Sequence, residues 1–125
     1  MDVRIKRVYE PASSADGVRV LVDRLWPRGV SKAAASLDVW EKDAAPSAML
    51  RAEWHADPDG HDPAHFAAFA NSYRIELSEG AGAEALERLA AIARDSDRLT
   101  LLYGARDEQV NHAVVLREAL LAQLS

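Results

Sequence analysis

The sequence predicts a single small α/β domain spanning residues 1–125, with a mainly parallel sheet of about four strands flanked by helices in Rossmann-like layers. Three observations predict it. Short apolar runs with β-branched members alternate with longer segments whose apolar residues recur at helical spacing. The chain is 125 residues long, near the modal size of one domain. It contains no cysteine, so the fold rests on its apolar core.

Residues 3–9 alternate Val3, Ile5 and Tyr9 against Arg4, Lys6 and Val8, which reads as a strand with one face half buried. Pro11 to Gly17 is a loop by its turn chemistry. Val18 to Leu25 is nearly continuous in apolar residues at its middle, as expected of a central strand covered on both faces. Trp26-Pro27-Arg28-Gly29 ends it. Ser31 caps a short helix through Leu37, and Leu37 to Lys42 is a third, short strand or extended segment. Pro46-Ser47 starts another helix, with Leu50 and Trp54 four apart on one face. Asp62-Pro63 caps a helix in which Phe66, Phe69, Tyr73 and Leu77 share a stripe. After Gly80 and Gly82, a further helix presents Leu86, Leu89, Ala90 and Ala93. Arg98 to Tyr103 is a fourth strand closed by Gly104. A last helix runs from a cap at Asp107 to about Leu124, with Val110, Ala113, Val114, Leu120, Leu121 and Leu124 inward.

Charge is unevenly distributed. The chain carries 20 acidic against 15 basic residues, net −5. Residues 1–32 hold seven Lys or Arg against four acids, whereas residues 33–125 hold eight against sixteen. An acidic body argues against a nucleic-acid partner, because such binders need a basic balance to displace counterions. A basic site on that body draws a small anion instead. No stretch reaches the about 18 continuous apolar residues of a membrane span. The start Met1-Asp2-Val3-Arg4 lacks the plan of a secretion signal, so the expected setting is cytoplasmic, as a monomer or homodimer.

In parallel sheets ligands sit beyond the carboxyl ends of the strands. If the second and fourth strands are neighbours, Arg24, Arg28, Lys32 and Arg106 converge with Asp23, Asp107 and Tyr103 around a small anionic, phosphate-bearing or nucleotide-like ligand. Trp26 stands beside these arginines. Asp23, Asp107 and His112 are the acid–base candidates, and Asn111 accompanies His112 one turn into the last helix. The competing reading has Asp23 and Arg24 paired with Arg106 and Asp107 as plain ion pairs. Lys42, Pro46, Ser47 and Arg51 form a second group that a helix amino terminus would complete. His55, His61 and His65, interleaved with Asp57, Asp59 and Asp62, imitate a metal site, but a cap at Asp62 places His61 outside the helix that holds His65. No metal or cofactor is expected: there is no Gly-x-Gly-x-x-Gly, Walker loop or Gly-x-Ser-x-Gly elbow.

Arg7-Val8-Tyr9, Asp16-Gly17, the run from Arg19 to Lys32, Trp40, Lys42, Ala45-Pro46-Ser47, Leu50-Arg51, Phe69, Tyr73, Glu76-Leu77, Thr100 to Tyr103, Asp107 and Asn111-His112-Ala113 together resemble the YeaO-like branch of the domain of unknown function 488 family. The resemblance spans nearly the whole chain, and Asp-Arg-Leu-Trp-Pro-Arg-Gly is its most specific part. It implies a small bacterial cytoplasmic α/β protein without an assigned activity. Its signature residues largely coincide with the positions picked out by spacing.

Overall fold

The computed structural model describes all 125 residues. Its four strands are β1 (Asp2–Arg7), β2 (Val18–Leu21), β3 (Val39–Trp40) and β4 (Arg98–Tyr103), and its helices are α1 (Lys32–Ala35), α2 (Ala48–Ala56), α3 (Pro63–Leu77), α4 (Gly80–Asp95) and α5 (His112–Leu124). The sheet order is β1-β4-β2-β3 with every pair parallel. The last strand is therefore inserted between the first two, and β2 and β4 are neighbours in register Leu21 with Leu102.

Alternation along the strands sorts side chains onto two unequal faces. Val3, Val20, Val22, Leu99, Leu101 and Tyr103 meet Tyr73, Leu89, Ala113, Leu116 and Leu120 from α3, α4 and α5 in the main core. Val8, Leu21, Ala35 and Leu102 form a smaller cluster on the other face, roofed by Trp26, Val30, Leu37 and Trp40. The layering is thus lopsided: three long helices cover one face, and α1 with the Trp26 loop and the Trp40 side chain of β3 covers the other. No helix is long and apolar enough to cross a membrane.

Several boundaries differ from the sequence reading, each for a local reason. The first strand stops at Arg7, although the Val8 amide still donates to the Tyr103 carbonyl, because Tyr9 turns out to the surface. The second stops at Leu21 instead of running to Leu25, because the Asp23 carboxylate, not its backbone, meets the next β4 position by accepting the Gly104 amide. The last helix begins at His112, with Asn111 as its buried cap accepting from Val114, so Asn111 and His112 lie at its start and not one turn in. Asp107 makes an Asx turn ahead of it, accepting from Gln109 and Val110. The inner face of that helix is Ala113, Val115, Leu116 and Leu120, with Val110, Val114, Leu121 and Leu124 only partly covered. Its sequence is apolar nearly all round, which leaves the buried face to be chosen by packing.

Candidate functional site

The carboxyl ends of β2 and β4 diverge over a cleft of about 350 Å³. Its floor begins where Val22 still donates to the Leu102 carbonyl and Asp23 Oδ2 accepts from the Gly104 amide at 2.9 Å. A Cβ at residue 104 would stand 2.9 Å from that carboxylate oxygen, so a side chain there would push the carboxylate out of this position. His112, the first residue of α5, brings Nε2 to 3.0 Å from the Val22 carbonyl. A carbonyl only accepts, so Nε2 carries the proton. Asp23 Oδ1 lies 3.2 Å from the same nitrogen, buried and accepting no hydrogen bond, since that proton is directed at Val22. Beneath them Trp54 stacks on Phe69 at 4.1 Å, Phe69 leans on Tyr73, and Tyr73 meets the edge of His112.

The walls are held by side-chain to backbone bonds. Arg24 donates from Nε to the Pro46 carbonyl and from Nη2 to the Ala45 carbonyl, with Nη1 3.8 Å from Asp43. It is a strut from the β2 loop to the start of α2. Trp26 donates its indole N–H to Val30 and packs edge-on against Trp40. The turn between them passes through Gly29 at φ 77°, a left-handed conformation that glycine adopts without strain. Tyr9 donates its hydroxyl to the Arg28 carbonyl at 2.9 Å, bracing the same turn. Opposite, Ser47 caps α2 by accepting from Leu50, and is itself locked by Glu76, which takes both its amide and its hydroxyl. One turn on, α2 presents Arg51, then Trp54 and His55. Burial first, and then the charges of Arg51 and His112, hold the His55 imidazole below its ordinary value. Arg28 and Arg51 are exposed on the cleft and neither guanidinium has a hydrogen bond or ion pair within the chain.

Of the residues singled out from sequence, Asp23, Arg24, Trp26, Arg28 and His112 meet in this cleft, joined by Pro46 and Arg51 of the second group and by His55. The rest do not. Tyr103 is buried below, its phenol pushed above its usual value chiefly by burial, and its neighbour Gly104 takes the lining position. Asn111 is a buried cap. Lys32 projects from α1 into solvent, and Lys42 rests its ammonium 4.1 Å above the Trp40 ring. Ser47 lines a shallow groove with Glu76 and Glu79 on the far side of Arg24 and Ala45 from the other cleft-lining residues. Arg106 and Asp107 face an adjoining hollow of about 480 Å³ because the turn after Gly104 carries them past the cleft. The Val110 and Gln109 amides, in that order, hold the Asp107 carboxyl below its usual range. Asp23 and Arg24 therefore form no ion pairs with Arg106 and Asp107. The histidines divide: His65 bonds Asp57 at 2.6 Å, while His61 stands 3.8 Å from Asp107.

Sequence reasoning placed Arg51 in the second group and assigned Trp54 to packing, and it missed Tyr9 and His55 as neighbours of the cleft. One signal was available. Ser47 as cap fixes the helix phase, and the residue four further on, Arg51, then shares its edge.

A family model, DUF488-N3i, described as the inactive DUF488-N3 subclade, matches residues 2–125. Among known proteins, the chain is 42% identical over 120 residues to the uncharacterized protein YeaO of Escherichia coli (strain K12), covering 96% of this chain and 97% of that one. It is 39% identical over 118 residues to the uncharacterized protein Rv3073c of Mycobacterium tuberculosis (strain ATCC 25618 / H37Rv), covering 94% and 92%. No solved structure matches it.

Proposed function

Because the chain belongs to the DUF488 family, in the branch described as its inactive N3 subclade, we propose that it binds a small phosphate-bearing anion in the cleft between β2 and β4 without turning it over. One observation carries this reading: Arg28 and Arg51 face a shared cavity with no partner of their own. Guanidinium groups hold phosphate through paired N–H donors, and two of them opposite one carboxylate leave the cavity wanting negative charge. Arg24 adds its charge from the wall while its donors hold the Ala45 and Pro46 carbonyls.

The absence of turnover has its own support. The three acid–base candidates are not all assembled: Asp23 and His112 are neighbours, but Asp107 lies in the adjoining hollow, and His112 spends its Nε2 proton on a backbone carbonyl. Asp23 is tied through Oδ2 to the Gly104 amide. A general base must reach the proton it removes, and this arrangement instead fixes the floor.

Thermal melts with inorganic phosphate, ribose 5-phosphate and the nucleoside monophosphates test the reading. A ligand at 100 times its dissociation constant adds about 2.7 kcal/mol, enough for a clear rise in Tm. The rise is expected to disappear in Arg28→Ala and Arg51→Ala while their ligand-free Tm stays at the wild-type value. No rise with any of these compounds, or an undiminished rise in both variants, would refute it, and phosphorus NMR showing hydrolysis would remove the claim of inactivity.

A further inference from the structure

The cleft and the adjoining hollow share Trp54, His55 and Ala105, so they are two ends of one depression along the carboxyl edge of the sheet. Their chemistry differs. The cleft carries Arg28 and Arg51 against Asp23, and is cationic. The hollow carries Arg106 against Asp57 and Asp107, and has no excess of positive charge. Between the ends lies an aromatic step. Trp54 is fixed by its stack on Phe69 and by donating its indole N–H to the Gly60 carbonyl, and His61 faces it at 6.2 Å with the rings 28° apart. Gly60 itself is pinned, because a Cβ there would meet the Trp54 ring at 2.9 Å.

Resting on the anion-binding reading of the cleft, we propose that the whole depression is a nucleoside monophosphate site, with the phosphate at Arg28 and Arg51 and the sugar and base passing over Trp54 and His55 into the hollow. A phosphate alone would fill only the cationic end. A second phosphate at the far end would meet Asp57 and Asp107, which disfavours bisphosphates. A flat neutral ring suits the Trp54 step, since every base has a face to stack. Asp107 uses Oδ1 for the Gln109 and Val110 amides, which leaves Oδ2 able to accept from a sugar hydroxyl or an exocyclic amine. The His55 imidazole, disfavoured in its charged form by burial and Arg51, adds a neutral edge to the same surface.

Isothermal titration against inorganic phosphate, ribose 5-phosphate, a nucleoside monophosphate and a nucleoside 3′,5′-bisphosphate decides it, with tryptophan fluorescence followed in parallel. The monophosphate is expected to bind about tenfold or more tighter than ribose 5-phosphate and tighter than the bisphosphate. It is also expected to quench fluorescence, whereas ribose 5-phosphate does not. In Trp54→Phe, which keeps a ring on Phe69, binding should persist and the quench should disappear; His61→Ala, altering only an exposed side chain, should narrow the preference for the nucleotide. Equal affinity for ribose 5-phosphate and the nucleotide, or a quench that survives Trp54→Phe, overturns the nucleotide assignment and leaves the anion site standing. Binding of none of the four overturns both.

Discussion

Two groups of charged residues border β2, and they are built on opposite plans. At its start, Asp16 accepts from the Ser13 amide, from Lys6 at 3.0 Å and from Arg19, while Arg19 gives its remaining donors to the Ala35 and Ser36 carbonyls. Every charge there has a partner, and Arg19 is 4% exposed. Beyond its end, Arg28 and Arg51 face open space without one. Buried charge is tolerated only when it is paired, so the first cluster reads as part of the fold. Arg28 and Arg51 sit beside the cavity on a braced turn and a capped helix, and neither guanidinium is engaged in holding the fold. It is this difference on which the proposed anion site rests.

The largest effect should come from breaking the closed cluster. Arg19→Leu removes one of the two cations that pair with buried Asp16 and is expected to cost about 3–5 kcal/mol in urea unfolding. Burial pushes the Asp16 carboxyl up, but the Ser13 amide, Lys6 and Arg19 together bring it below its ordinary 3.8. A depressed carboxyl stabilises above its unfolded value and loses that contribution as pH falls through its folded one, so the deficit of the variant should be largest above 3.8 and narrow as the pH falls below it. An intermediate case is Arg24→Ala, since Arg24 borders the cleft yet is consumed like Arg19. Losing its bonds to the Ala45 and Pro46 carbonyls should lower stability by about 1–3 kcal/mol, measured by the same unfolding, and weaken ligand binding as the wall loosens. If Arg24→Ala melts like wild type, the distinction between strut and binding group fails.

The smallest effect tests whether pairing alone, without burial, sets stability. His65 and Asp57 are bonded at 2.6 Å but exposed to solvent. The Asp57 hydrogen bond raises the His65 imidazole, a contribution present below 6.5 and lost as pH climbs through the raised value. Asp57 is lowered by His65 and then by the Asp59 amide, a contribution lost as pH falls through the depressed value. Wild type and His65→Ala should therefore differ most between 3.8 and 6.5, converge outside that range, and converge everywhere in high salt.

Much of the layering was legible because each long element has one dominant period. Phe69, Tyr73 and Leu77 repeat at helical spacing and are all buried, and Leu99, Leu101 and Leu102 admit only a covered strand. The capping serines at 31 and 47 and Asp62 act as read, since each precedes a helix with no rival nearby. The last helix misled because Asp107 and Asn111 both have side chains that accept backbone amides, and only tertiary packing chose Asn111, which is fully buried. The site followed the same division. That β2 and β4 adjoin was the condition on which the cleft depended, and the parallel ladder supplies it. Which arginines enter was not legible. Spacing places Arg24, Arg28 and Arg106 all on strand exits, but direction along a loop is set by contacts such as Arg24 to Pro46 that join residues 22 apart.

The strand order has one more consequence, for how the protein comes into being. β1 finds its only ladder partner in β4, and β2 has only the two-residue β3 until β4 is inserted beside it. Both amino-terminal strands must therefore wait, edges bare, while the ribosome adds α3 and α4 at about 5–20 residues per second. Nothing resembling the finished sheet can exist on the nascent chain before Tyr103 has emerged, and the late arrival of that one strand closes the sheet and brings the two rims of the cleft together in the same event.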